Sequence, residues 1–231
     1  EAAYLYQLLV RKFGTNNLPD CSNMCHESTG VALLETVGIG KGTIKLEDLY
    51  EAQLILVVGQ NPGTNHPRML SALQKAKANG AIIVSINPLQ EAGLQGFKNP
   101  QDFLNPLKAV QTLVGPAETV ADRWLPVKLN GDVALFQALC KRLLELEQQN
   151  PNILDRKFID NSCLGFASFK DQMERLTWDE LLQGCALPFA QIQELADLIA
   201  IRPKMVLCWA MGITQHRNGV DNIRAMVNLC L

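Results

Sequence analysis

Two short, uninterrupted apolar runs flanking one helix-length segment constrain this chain more than any other feature. Leu54-Ile-Leu-Val-Val58 ends in Gly59, and Ala81-Ile-Ile-Val-Ser-Ile86 runs into Asn87-Pro88. Continuous rather than alternating hydrophobicity marks strands covered on both faces, as in a parallel sheet. Between them, residues 67–79 read as a helix, with Pro67 in the first turn and Gly80 as a left-handed cap after Asn79. Strand, helix and strand make a βαβ unit, whose strands must be parallel and whose crossover is right-handed.

The remaining pattern extends this unit into an open, mostly parallel, doubly wound α/β sheet with helices on both faces. Helices are expected at 1–13, stopped by Gly14, and from a Ser28 or Thr29 cap through Val37. Residues 99–120 read as loop-rich with room for a short helix, and 124–129 as a strand. Asp132 to Gln148 is a helix following Gly131, with further helices at 153–161, 166–175 and 188–200. A last strand, Met205 to Trp209, leads through Gly212 to a closing helix from about Asn218. No internal repeat or low-complexity segment breaks the pattern.

Composition narrows the functional classes. Lys and Arg number 21 against 23 Asp and Glu, a formal net charge of −2, which leaves no broad basic face for nucleic acid. A hydrophobic fraction of 48% excludes intrinsic disorder. No apolar run approaches the roughly 18 residues that a membrane-spanning helix needs. The seven cysteines, at 21, 25, 140, 163, 185, 208 and 230, have no repeating spacing, which points to a reducing, cytoplasmic compartment. The sequence opens inside an amphipathic helix without an initiating Met and ends inside an apolar helical pattern. It therefore reads as an internal piece of a longer protein, with 1–14 a helix of the preceding domain and 15–231 the α/β domain.

In such sheets ligands bind outside the carboxyl ends of the strands. Three loops fall there: Gly59-Gln-Asn-Pro-Gly-Thr-Asn-His66, Asn87-Pro88-Leu89, and Met211-Gly-Ile-Thr-Gln-His216. The first runs into a helix start and can bring backbone and amide donors to a phosphate. Together the three suit an extended, dinucleotide-like ligand, and each alone is also compatible with an ordinary turn. Gly38-Ile-Gly-Lys-Gly-Thr43 is not a P-loop: Glu35 stands where the first Gly belongs and Gly42 where Ser or Thr belongs. The polar stretch 15–27, which includes Pro19 and Asp20, reads as a functional loop, and the candidate active-site loop is set at 15–29. It contains Cys21-Ser-Asn-Met-Cys25-His26, a thiol beside an imidazole, able to serve as a soft-metal ligand, a nucleophile, or a ligand plus proton acceptor. A buried, inert thiol is the alternative. His66 and His216 are isolated, each in a candidate ligand loop.

Taken in order, Cys21-Ser-Asn-Met-Cys-His-Glu-Ser-Thr-Gly30, Gly59-Gln-Asn-Pro-Gly-Thr-Asn-His-Pro67, Asn87-Pro88 and Met211-Gly-Ile-Thr-Gln215 resemble the molybdopterin oxidoreductases, formate dehydrogenase alpha subunits above all. The resemblance covers nearly the whole chain. It implies the catalytic subunit of a molybdenum enzyme carrying bis(molybdopterin guanine dinucleotide), acting on a small molecule such as formate and passing electrons to an acceptor protein or subunit. It implies Cys25 as metal ligand and His26 as proton acceptor. Gly59, Asn61, Thr64, Asn65 and His66 match the loop holding a guanine dinucleotide arm, Asn87 and Pro88 the next loop, Gly131 and Asp132 a later cofactor turn. Met211, Gly212 and Gln215 match the loop near the pterins. A 4Fe–4S cluster would lie upstream of Glu1. Asn87-Pro88-Leu89 departs from the common Asp-Pro-Arg run, losing an acidic partner for guanine and a basic one. The other classes compatible with these motifs are the same cofactor acting on an oxyanion such as nitrate, and a non-catalytic nucleotide-binding module.

Overall fold

A computed structural model describes residues 1–18 and 21–231. Pro19 and Asp20 of the polar stretch lie outside the described residues. Four strands, β1 (Leu54–Val58), β2 (Ile82–Ile86), β3 (Arg123–Leu125) and β4 (Met205–Trp209), form one sheet in the order β3-β2-β1-β4. All three pairings are parallel, with Leu54 beside both Ile82 and Met205 in register. The expected α/β architecture is therefore what the chain adopts.

β1 is central, and every one of its residues is buried. Side chains alternate across the pleat. Leu54, Leu56 and Val58 enter a core shared with the helices Glu27–Thr36, Asp132–Gln149, Trp178–Cys185, Phe189–Ile201 and Gly219–Cys230. Ile55 and Val57 face a smaller core built with Leu49, Leu70, Leu73 and Ala76 from the helices Leu46–Glu51 and Pro67–Ala78. Covering on both faces explains the unbroken apolar runs.

Several expectations need correction. The strand expected at 124–129 ends at Leu125, because Pro126 has no N–H for the ladder and the chain turns with Val127 N–H donating back to Leu125 at 2.9 Å. The stretch expected as loop at 15–27 contains a helical turn, Cys21–Cys25. Ser28 and Thr29 do not cap the following helix. His26 is its N-cap residue and makes no side-chain capping bond, while Ser28 and Thr29 lie inside the helix with their hydroxyls bonded to Thr214 and Trp209. The helix Pro106–Val114 is the short helix for which 99–120 left room, whereas the helices Leu46–Glu51 and Trp178–Cys185 have no expected counterpart. The Ala2–Lys12 helix buries no residue, with Tyr4, Leu5 and Leu9 exposed. Among the described residues no helix is long and apolar enough to cross a membrane.

Candidate functional site at the sheet switch point

From β1 the chain steps to β2 on one side, whereas β4 pairs on the other. The loops leaving β1 and β4 therefore diverge at their carboxyl ends, and such a switch point leaves a crevice. Here it is a cavity of about 810 Å³. The crevice needs the two loops to meet closely at its base, and Gly59 and Gly212 allow this. A Cβ on Gly59 would sit 3.0 Å from the Gly212 carbonyl carbon, and Gly59 also has φ +57°. Gly63 and Gly93 pack against one another in the same way on the β1–β2 side.

The cavity gathers most of the residues singled out from the sequence. Cys25, His26, Gly59, Asn61, Asn65, His66, Asn87, Pro88, Asp132, Met211 and Gly212 all border it. Three do not. Thr64 is exposed and donates its backbone N–H to Asn61 Oδ1 at 3.1 Å, closing the turn. Gly131 is buried, where a Cβ would meet the carbonyl oxygens of Gly184 and Lys128 at 2.9 Å. Gln215 reaches outward instead, donating Nε2–H to the Met24 carbonyl at 3.0 Å.

The Cys25 segment is tied down by the loop after β4. Thr214 Oγ1 donates to the Cys25 carbonyl oxygen at 2.5 Å, and Ser28 Oγ donates to the Thr214 carbonyl at 3.0 Å. Trp209 Nε1 donates to Thr29 Oγ1 at 3.0 Å. These bonds join residues some 180 positions apart, so the thiol's place depends on the whole sheet.

On the opposite side Glu91 supplies a carboxylate that no sequence motif announced. Its Oε2 accepts from Asn61 Nδ2 at 2.5 Å and its Oε1 from Asn87 Nδ2 at 3.5 Å. Asn87 is itself fixed, its carbonyl accepting from Trp124 Nε1 at 2.8 Å. Glu91 lies four residues after Asn87, and only the fold of the β2 loop reveals that it turns back into the cavity.

Both histidines in the strand loops border the cavity with Nδ1 held by an amide: His66 by Gln60 Nε2 at 3.3 Å, His216 by Asn222 Nδ2 at 3.0 Å. Asp132, 4% exposed, lies with Oδ2 3.7 Å from His216 Nδ1. Burial pushes the Asp132 carboxyl above its ordinary range, and the nearby His216 partly opposes this.

The donor set fits a metal that brings most of its own ligands. Cys25 offers one soft sulfur at the cavity wall, and among the described residues no three or more His, Cys, Asp or Glu side chains converge as a metal cage. The amides of Asn61 and Asn87 and the fixed Glu91 carboxylate suit the polar edge of an extended organic ligand.

The chain is 49% identical over 232 residues to an uncharacterized oxidoreductase of Mycobacterium tuberculosis, matching all of this chain and 29% of that protein. It is 41% identical over 236 residues to protein YdeP of Escherichia coli, again along its full length and 30% of the relative. A formate dehydrogenase subunit alpha of Methanocaldococcus jannaschii shares 25% identity over 232 residues, 100% of this chain and 30% of that one. The chain thus spans about 30% of the length of these relatives. Acetylene hydratase from Pelobacter acetylenicus has the same fold, with a TM-score of 0.70 at 20% identity over 94% of this chain and 25% of that one. The molybdopterin oxidoreductase family model matches residues 1–231, so this chain belongs to the molybdopterin oxidoreductases.

Proposed function

We propose that this chain is the pterin-dinucleotide-binding α/β portion of the catalytic subunit of a molybdenum-dependent oxidoreductase similar to formate dehydrogenase. The observation that carries this reading is the meeting of Cys25 and His26 with the three strand-end loops around one cavity. Residues 15–231 form that α/β domain, and the exposed Ala2–Lys12 helix belongs with the neighbouring part of the parent protein. Any iron–sulfur cluster of the parent, and its electron-accepting partner, would be held outside this segment. Seven free cysteines suit a reducing cytoplasm.

Bis(molybdopterin guanine dinucleotide), when bound, supplies the two-electron redox chemistry. Cys25 would hold the molybdenum through its soft sulfur. His26, beside it, would take up the proton released on oxidation of a small substrate such as formate, with its imidazole as the general base. Gly59, Asn61, Asn65, His66, Asn87, Pro88, Asp132, Met211 and Gly212 line the cofactor's bed, with Thr64, Gly131 and Gln215 holding its turns. Glu91 supplies the acidic partner that Asn87 cannot. A fixed carboxylate accepts from the N–H groups of a guanine edge, and the paired amides of Asn61 and Asn87 set its direction.

The test is Cys25→Ser in the full-length parent produced with molybdate. We expect turnover to fall sharply with molybdenum and pterin largely retained, and undiminished rates would remove Cys25 from the mechanism. Dye-coupled assays with formate and with nitrate decide the substrate. A wild-type parent that purifies without molybdenum and pterin would instead indicate a non-catalytic nucleotide-binding module.

A further inference from the structure

Asn222 is fully buried on the Gly219–Cys230 helix, and its neighbours fix which way its amide faces. Nδ2 lies 3.3 Å from the Ile213 carbonyl oxygen, which can only accept, and Oδ1 accepts from Asn218 Nδ2 at 3.4 Å. The second hydrogen on Nδ2 is thereby directed at His216 Nδ1, 3.0 Å away. Two donors cannot share that line, so in the neutral ring Nδ1 carries the lone pair and the hydrogen sits on Nε2. Asp132 stands 3.7 Å from the same Nδ1, outside hydrogen-bonding distance, and does not reverse this assignment. The protein thus holds one edge of the ring, leaving the Nε2 edge for the cavity that His216 borders.

Position adds to the argument. Thr214, two residues before His216, bonds the Cys25 carbonyl, so this imidazole belongs to the loop that packs on the thiol segment. We infer that His216 is a preset N–H donor that holds an acceptor oxygen of the pterin dinucleotide near its metal end, with Asn222 as its positioning residue. This rests on the cofactor reading above. A donor whose orientation is fixed before binding loses less freedom on binding than a free one.

The test compares the full-length parent, produced with molybdate, with His216→Phe, which keeps a ring but no donor, and His216→Gln, whose amide reaches the Nε2 position. The readout is the rate at which molybdenum and acid-releasable guanine nucleotide are lost on dilution, with a melting curve to verify folding. We expect the Phe variant to lose both about tenfold faster or more, with Gln within about threefold of wild type. If the Phe variant does not fold, His216→Leu takes its place. Wild-type retention in the donor-less variant, or equal loss in the Gln and donor-less variants, would overturn the assignment. Both outcomes are read against a loaded wild type, so they are distinct from failure of the cofactor reading, which shows as an unloaded wild type.

Discussion

The hydroxyl of Thr214 donates to the carbonyl oxygen of Cys25 at 2.5 Å, linking the loop after the last strand to the segment that carries the candidate metal ligand. The two residues are 189 positions apart, and Thr214 is buried at 8% exposure. Thr214→Val keeps the shape and removes the donor. A small displacement of a reacting group can cost about a hundredfold in rate. We expect kcat of the full-length parent to fall roughly ten- to a hundredfold while molybdenum content stays near wild type. An unchanged kcat would show that this bond does not position Cys25.

Gly59 and Gly212 make a second contact across the same switch point. A Cβ at 212 would meet the Gly59 carbonyl oxygen and lie 2.9 Å from its carbonyl carbon and 3.0 Å from its Cα. All three are backbone atoms, so no side chain can swing aside. Gly212→Ala should cost about 1–3 kcal/mol or more in urea unfolding and lower cofactor content as the loops part. Gly80→Ala is the comparison: its Cβ meets nothing within 4 Å, but φ is +97°, so its cost is local backbone strain with loading unaffected.

How much of this was legible in the sequence depends on how local each signal is. β1 and β2 were readable because burial on both faces makes their apolar runs continuous, and the parallel βαβ unit followed from chain geometry. The helix Trp178–Cys185 is marked in the sequence only by Thr177 and Glu180, whose side chains form a capping box, because its eight residues are too few to show a clear apolar period. Glu91 and Asn222 gave no signal, since their roles come from where a loop and a helix return in space. The Cys25-His26 pair was visible as chemistry, whereas the bonds fixing its place cross from Thr214 and Gln215 and exist only in the fold.

Glu147 offers a test of stability away from the cavity. Its Oε2 accepts from the backbone N–H groups of Ile153 at 2.9 Å and Leu154 at 3.1 Å, and Arg156 pairs with its Oε1 at 3.4 Å. Burial opposes ionisation, but the Leu154 and Ile153 N–H groups together with Arg156 outweigh it and hold the carboxyl below its ordinary range. A lowered folded pKa means the stabilisation is present above the unfolded value of about 4.3 and is lost as pH falls through the folded one. Glu147→Gln should therefore cost roughly 1–3 kcal/mol at neutral pH, and the gap to wild type should narrow in acid. Denaturant unfolding at several pH values checks this, and a gap constant with pH would contradict it.

Asp132 should behave in the opposite sense. Its carboxyl lies among buried atoms at the start of the Asp132–Gln149 helix, and burial raises its pKa more than His216 lowers it. For a carboxyl raised on folding, the favourable contribution is complete below the unfolded pKa of about 3.9 and is lost as pH rises through the folded value. Asp132→Asn removes the cost of holding a charge there while keeping shape and size. We expect the variant, prepared free of cofactor, to melt above wild type at neutral pH and to converge with it below about pH 4, where both side chains are neutral. A variant that melts below wild type at neutral pH would show that the interactions favouring the ionised carboxylate outweigh burial at this wall of the cavity.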